Sequence, residues 1–206
     1  MTNQNTRIAV LISGRGSNML ALSKAISAGN VPNAEIVLVV SDKPDAHGLI
    51  SAQERGHKTL VVERLGRKRE DHEREIISGL QEHKVDLICL AGYMRLLSPC
   101  FIEAFPRRIL NIHPSLLPSF PGLDAQRQAI LHGVKWSGCT VHFVDDTLDG
   151  GPIIAQRVVP ILDVDSEEAL AARILEQEHL LYAEALALVV SGKFEIVGRR
   201  VMKIED

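Results

Sequence analysis

The sequence predicts an α/β fold with a doubly wound, mostly parallel central sheet and an antiparallel C-terminal portion. In the first half of the chain, short apolar runs alternate with segments of helical length, which is typical of strands joined by right-handed crossovers. Near the end, two segments with strand character flank the loop at residues 149–152, and this arrangement favours antiparallel pairing. The 206 residues suit one domain, so we predict a single domain over residues 1–206.

The first half contains four predicted strands and three predicted helices. Residues 7–13 form a nearly continuous apolar run that ends at Gly14 and Gly16, as expected for a buried strand followed by a turn. Similar runs predict strands at residues 34–41, 59–62 and 86–91. Helices are predicted between them at residues 17–28, 46–56 and 67–83, and the polar composition of the last indicates a surface helix.

The second half begins with a predicted strand at residues 108–113, which runs into a segment rich in proline. Further strands are predicted at residues 138–144 and 153–160. A long helix is predicted to begin after Ser166, whose side chain suits a helix N-cap, and to end at Gly192. The remaining residues, 194–204, predict a hairpin around Gly198.

Composition narrows the class of protein. Hydrophobic residues make up 46% of the chain and the formal net charge is -3, so a nucleic-acid-binding or membrane surface, which favours a strong basic excess, is not indicated. The three cysteines, Cys89, Cys100 and Cys139, are widely spaced and predict buried, reduced thiols rather than a metal or redox motif. Residues 1–7 are polar and lack the apolar core of a signal peptide. We therefore predict a cytoplasmic protein.

A loop containing two glycines, Ser13-Gly14-Arg15-Gly16-Ser17-Asn18, connects the first strand to the first helix. Its glycines let backbone N–H groups face a ligand, and the start of a helix attracts an anion. A dinucleotide motif has a third glycine where Met19 stands, and the Gly-Lys-Ser/Thr of a Walker loop does not occur here. The loop predicts a site for a single phosphate; the alternative is an ordinary turn with Ser17 as the helix cap.

Asn111 and His113 close a predicted strand, so their side chains should lie on one face, near the edge where open α/β sheets bind ligands. An amide and a protonated imidazole that converge on one point would stabilise an oxyanion. Asp149, in a loop with Gly150 and Gly151, could return to this edge and favour the protonated form of His113. The alternatives are a structural polar pair and an ordinary Asp-Gly turn.

Six segments together resemble the glycinamide ribonucleotide formyltransferases of purine synthesis, a family of folate-dependent formyltransferases. Their order and spacing match that family over roughly residues 8–188. The segments are SGRGSN (13–18), AGYMRLLSP (91–99), NIHPSLLPSFPG (111–122), TVHFV (140–144), LDGGPII (148–154) and EQEH (176–179). The resemblance implies a Rossmann-like formyltransferase fold. It also implies a phosphate-binding half at about residues 1–100, followed by a folate-binding and catalytic half at about residues 101–206.

The resemblance implies a reaction and a role for each site residue. The formyl group of 10-formyltetrahydrofolate, a co-substrate, would pass to the amine of glycinamide ribonucleotide in de novo purine biosynthesis, with no metal required. The catalytic residues would be Asn111, His113 and Asp149. The residues that bind the ribonucleotide would be Gly16, Ser17, Asn18 and Glu178. The folate would be bound by Arg69, Met94, Arg95, Leu96, Leu97, Asn111, Asp145, Asp146, Thr147, Leu148 and Asp149.

Some of these residues also have a structural interpretation. Met94, Leu96 and Leu97 could be ordinary core residues, since a pterin pocket and a core are both apolar. Arg69 belongs to a basic cluster at residues 64–69, and such clusters are usually solvated.

Glu178 lies on a predicted helix rich in glutamate, where an exposed position is the alternative. His142 could face the site or only support its strand. The family often has histidines where this chain has Asp124 and Gln126, so the contacts of those two positions are left open.

Two other folate enzymes share the Asn-His-Asp trio: the deformylase that hydrolyses 10-formyltetrahydrofolate, and methionyl-tRNA formyltransferase. The first normally carries an additional N-terminal domain and the second a C-terminal tRNA-binding domain, for which this chain is too short. A non-catalytic nucleotide-binding module is a third alternative. The expected partners are the ribonucleotide and the reduced folate, not nucleic acid or a membrane. The sequence does not distinguish a monomer from a homodimer.

Overall fold

The structure is a computed structural model that describes residues 5–204 and shows nine strands and six helices there. Residues 1–4 and 205–206 lie outside the described residues. They include most of the polar N-terminal segment and both ends of the predicted domain. The chain divides into two compact units, Met1–Leu110 and Asn111–Asp206. The strands are β1 Thr6–Ile12, β2 Ala34–Ser41, β3 Thr59–Val61, β4 Leu87–Leu90, β5 Ile109–His113, β6 Trp136–Phe143, β7 Ile153–Pro160, β8 Phe194–Val197 and β9 Arg200–Lys203. The helices are α1 Ser17–Ser27, α2 His47–Glu54, α3 Arg69–Glu82, α4 Pro99–Ala104, α5 Ala125–Leu131 and α6 Glu167–Ser191.

The first unit contains four parallel strands in the order β3-β2-β1-β4. The residues from Ile8 to Ile12 are completely buried, as expected for a central strand with helices on its faces. Helix α1 contacts α2, and α3 contacts α4. The strands and helices predicted for this half are all present, so the parallel part of the predicted fold is confirmed.

The second unit contains the antiparallel strands. Strand β6 pairs antiparallel with β7, and β8 pairs antiparallel with β9 in the predicted hairpin. The long helix α6 contacts β6 and β7. It begins where Ser166 Oγ accepts a 3.2 Å hydrogen bond from the Ala169 amide, and ends at Gly192 with a φ of +66°. The predicted fold class, mostly parallel with an antiparallel C-terminal portion, is therefore confirmed.

Two short helices were not predicted from the sequence. Helix α4 has six residues and α5 has seven, which is too short for a recognisable helical repeat of apolar side chains. Helix α4 nevertheless carries local start signals: Ser98 accepts a hydrogen bond from the Phe101 amide, and Pro99 occupies the first helical position. Within residues 5–204, no helix combines the length and apolar character needed to cross a membrane.

The prediction of three buried cysteines is wrong for one of them. Cys89 and Cys139 are buried in strands, whereas Cys100 is exposed because it lies on the solvent side of the short helix α4, which the sequence did not predict.

Candidate active site

The turn between β1 and α1 is built around a close approach of two glycines. Gly16 is the N-cap of α1 and has a φ of +73°, so the alternative in which Ser17 caps the helix is wrong. A Cβ on Gly16 would lie 2.7 Å from the Cα of Gly48, near the start of α2. The N-cap position has a left-handed backbone, which glycine adopts without a steric penalty. Ser17 is therefore the first residue of the helix and not its cap.

This turn provides the features expected of an anion site in the first unit. The first amides of an α-helix have no partner within the helix, and the helix dipole is positive there. The first turn of α1 carries no acidic side chain that would compete with an anion. Ser17 is half-buried and Asn18 is buried. The predicted phosphate-binding residues Gly16, Ser17 and Asn18 therefore occupy consecutive positions at one helix start.

The second unit brings Asn111, His113 and Asp149 together. Asp149 Oδ2 lies 3.4 Å from His113 Nδ1, and Asp149 Oδ1 lies 3.7 Å from His142 Nε2. Asn111 Nδ2 donates to His142 Nε2 at 3.2 Å. The three residues singled out from the sequence are thus linked through His142, for which the sequence left a structural role equally open.

The backbone of residues 120–122 supports this cluster. His113 Nε2 donates to the Phe120 carbonyl at 2.9 Å, and the Gly122 amide donates to Asp149 Oδ2 at 2.8 Å. Both ring nitrogens of His113 therefore face oxygen acceptors, an arrangement that a doubly protonated ring satisfies completely. For His113 Nε2 to donate a hydrogen bond to a bound ligand, it must first give up its hydrogen bond to the Phe120 carbonyl.

His142 fixes the orientation of the Asn111 amide. Its Nδ1 donates to the Phe143 carbonyl at 2.9 Å, so Nε2 is the acceptor of the neutral ring. Burial lowers the pKa of His142 below its usual 6.5, and the Phe143 carbonyl and the Asp149 carboxylate oppose this only in part. The neutral ring therefore accepts one amide hydrogen of Asn111 and leaves the second for another acceptor.

Asp149 reaches the cluster because of the glycines that follow it. Asp149 itself has a left-handed backbone with a φ of +49°. A Cβ on Gly151 would lie 1.9 Å from the Phe143 carbonyl oxygen, and one on Gly150 would lie 2.1 Å from Thr147 Oγ1. The two glycines thus allow the tight return predicted from the sequence, and a side chain at either position would displace it.

The predicted folate-binding residues of the first unit lie around the segment between β4 and α4. Met94 is 67% exposed and Leu96 is 63% exposed, so their interpretation as core residues is wrong; Leu97 is half-buried. Arg69 is held against this segment, since its Nη2 donates to the Leu96 carbonyl at 2.5 Å, and it is not simply solvated as members of a basic cluster usually are. Arg95 is half-buried on the same segment.

The remaining predicted residues lie in the second unit. Asp145 Oδ1 accepts from the Thr147 amide at 2.9 Å, in the exposed loop that also contains Asp146 and Leu148. Glu178 is buried on α6, so an exposed position for it is wrong. Burial and the nearby Glu178 carboxylate raise the pKa of the Cys139 thiol to about 12.

Asp124 and Gln126, where the family often has histidines, are at the start of α5. Asp124 is its exposed N-cap and has a φ of +56°, and Gln126 is half-buried.

Sequence reasoning missed three groups that hold the predicted residues in place: the Phe120 carbonyl, the Gly122 amide and the Glu73 carboxylate. The first two are backbone groups, and almost every residue type has the same backbone groups, so the sequence does not single them out. Glu73 Oε1 accepts from the Ser98 amide at 3.0 Å, at the end of the segment that carries Met94 and Leu96. Glu73 could have been found, because it lies three, four and seven positions before the apolar residues of α3 and thus on their face of the helix. Among the described residues, no group of three or more His, Cys, Asp or Glu side chains is arranged to hold a metal ion.

Comparison with known proteins adds to this geometry. A family model described as formyl transferase matches residues 6–186. The chain is 41% identical over 190 residues to a phosphoribosylglycinamide formyltransferase of Escherichia coli K12, covering 92% of this chain and 89% of that protein. It is 47% identical over 195 residues to a trifunctional purine biosynthetic protein adenosine-3 of Drosophila melanogaster; the match covers 93% of this chain and 14% of the Drosophila protein's length.

A solved structure is also similar to this chain over its whole length. The crystal structure of glycinamide ribonucleotide transformylase 1 from Symbiobacterium toebii superposes with a TM-score of 0.96 at 47% identity, and the match covers 100% of this chain and 96% of that one. At this identity and coverage, the similarity extends beyond the fold to the sequence.

Proposed function

The chain belongs to the formyl transferase family, and on that premise we propose that it transfers the formyl group of 10-formyltetrahydrofolate to the amine of glycinamide ribonucleotide in de novo purine biosynthesis. The observation that carries the proposal is the cluster of Asn111, His113 and Asp149, within 3.7 Å of one another or of the shared His142. Such a cluster suits a reaction in which negative charge develops on a carbonyl oxygen.

In the proposed reaction, the substrate amine attacks the formyl carbon, a C–N bond forms and the carbonyl electrons move onto oxygen. Asn111 donates its second amide hydrogen to that oxygen, and protonated His113 stabilises its charge. The oxygen's electron pair then re-forms the carbonyl, the bond from carbon to the folate nitrogen breaks, and its bonding pair leaves with that nitrogen. Asp149 holds His113 and helps a water carry the amine proton to the departing nitrogen.

The other site residues bind the two substrates. Gly16, Ser17 and Asn18 bind the phosphate of the ribonucleotide at the start of α1, and Glu178 binds the same substrate. The exposed apolar side chains of Met94 and Leu96 favour the flat, largely apolar pterin. Arg69, Arg95, Leu97 and residues 145–149 complete the folate site.

We also propose a cytoplasmic location, with two small molecules as partners and neither nucleic acid nor membrane among them. The folate is consumed as a co-substrate and no metal takes part. The protein acts as a monomer or a homodimer.

The test is an assay of the purified chain with 10-formyltetrahydrofolate, with and without glycinamide ribonucleotide. We expect tetrahydrofolate to form only when the ribonucleotide is present, in equal amount to the formylated product. Release of formate at the same rate without the ribonucleotide would instead identify a deformylase. Binding of NAD without binding of a reduced folate would identify a nucleotide-binding module. Asp149→Asn, assayed in parallel, controls for contaminating activity.

A further inference from the structure

Glu73 is a buried carboxylate on α3, whose other acidic residues are all exposed. Its side chain is only 4% exposed. Burying a charged group is costly unless hydrogen bonds replace its contacts with water. Glu73 Oε1 accepts from the Ser98 amide at 3.0 Å and from Arg69 Nε at 3.3 Å, and Oε2 accepts from the Ser98 hydroxyl.

These bonds hold one end of the segment that presents Met94 and Leu96, residues 92–98. Ser98 is the N-cap of α4, so Glu73 fixes the point at which the segment enters that helix. The other end is held where the Met94 amide donates to Ser13 Oγ at 3.1 Å. In the middle, Arg69 Nη2 donates to the Leu96 carbonyl at 2.5 Å.

Arg69 is thereby oriented by two contacts on its planar guanidinium group. Nε is held by Glu73, and Nη2 is held by the Leu96 carbonyl. Two contacts in one plane fix the direction of the whole group, which a single contact does not. Without Glu73, both the guanidinium and Ser98 lose their shared acceptor.

We propose that Glu73 is a positioning residue for folate binding: by holding Arg69 and Ser98, it keeps residues 92–98 in the arrangement that receives the pterin. This inference rests on the proposed function. Glu73 touches neither substrate in this account and acts through Arg69 and the backbone of residues 92–98. Its loss should therefore weaken binding of one substrate and leave the other unaffected.

The test compares Glu73→Ala with Asp71→Ala, which removes a carboxylate on the same helix whose side chain is 54% exposed and pairs with Arg74. For Glu73→Ala we expect the KM for 10-formyltetrahydrofolate and the Kd for 5-formyltetrahydrofolate, a non-transferring probe, to rise about tenfold. The KM for the ribonucleotide and kcat should stay within about threefold of the parent. A rise in both KM values together, or in neither beyond the Asp71→Ala control, would overturn the inference.

A double-mutant cycle separates positioning from a general loss of structure. In an Arg69→Ala background, Glu73→Ala should raise the folate KM by less than about threefold, because the two residues act together. A larger rise in that background would overturn the inference. Should Glu73→Ala not fold, Ser98→Ala replaces it, with a severalfold rise in folate KM alone expected and an unchanged value contradicting the inference.

The parent protein distinguishes this inference from the proposed function. If the parent fails to bind 5-formyltetrahydrofolate, the proposed function fails and the role of Glu73 fails with it. If the parent binds this folate and the variants bind it equally well, only the role of Glu73 is wrong.

Discussion

Oδ2 of Asp149 lies 3.4 Å from Nδ1 of His113, and the backbone that holds Asp149 there is left-handed. Asparagine and aspartate both tolerate this backbone conformation better than most residues. Replacing Asp149 with asparagine therefore removes the charge while preserving the loop, which makes the charge itself testable.

We expect Asp149→Asn to lower kcat by about 100-fold or more, because His113 loses the carboxylate that stabilises its charged form. The measurement is turnover at saturating substrates, with thermal unfolding as a check on the fold. Asp163→Asn is the matched control, since that carboxylate is exposed and pairs only with Lys135 in the ion pairs observed. Turnover of Asp149→Asn within about threefold of the parent would show that the assigned role is wrong.

His113→Ala should reduce kcat by about 100-fold or more, because the oxyanion loses a positively charged neighbour. His83→Ala is its control, since His83 is the C-cap residue of α3 and its Nδ1 donates to the Gly79 carbonyl, outside the cluster around His113. Fully active His113→Ala protein would remove this residue from the chemistry.

Acid should destabilise the folded protein through two buried histidines. Burial lowers the pKa of both His72 and His142 below 6.5. In the window between the folded and unfolded pKa values, the unfolded chain binds more protons, so the free energy of unfolding falls as the pH drops below about 6.5.

Urea unfolding at several pH values between about 7.5 and 5 measures this effect. His72→Gln and His142→Gln should each flatten the pH dependence. A parent protein equally stable across that range would contradict the prediction.

Two neighbouring glycines provide a matched pair for the turn before α1. Gly16→Ala should lower the free energy of unfolding by about 1–3 kcal/mol, because the new Cβ meets the backbone of Gly48 and the φ is positive. Gly14→Ala should change it by no more than about 0.5 kcal/mol, since nothing lies within 4 Å of its Cβ position. If both variants lower the free energy of unfolding by the same amount, the close approach of Gly16 and Gly48 does not restrict which residue can occupy position 16.

The sequence was most informative where residue type alone decides the structure. The run at residues 8–12 is apolar at every position and is buried, and Ser166 and Gly192 mark the two ends of α6 by their chemistry. The same holds for Asn111 and His113, whose alternation on a strand placed them on one face.

Other features depend on contacts that residue type does not encode. The orientation of His113 depends on the Phe120 carbonyl and that of Asp149 on the Gly122 amide, and any residue except proline supplies such an amide. Residue type also left two interpretations open for Met94 and Leu96, because an apolar side chain in a ligand site and one in the core have the same character; only the family resemblance favoured the ligand site, and both side chains are exposed.

The contact between the turn before α1 and the start of α2 has an evolutionary consequence. The Gly48 amide donates to the Gly14 carbonyl at 3.0 Å, and a Cβ on Gly48 would lie 3.0 Å from the Cα of Gly16. Neither glycine can acquire a side chain unless the opposing backbone withdraws. Both positions should therefore stay glycine during divergence, because a side chain at one of them meets backbone whichever residue stands at the other.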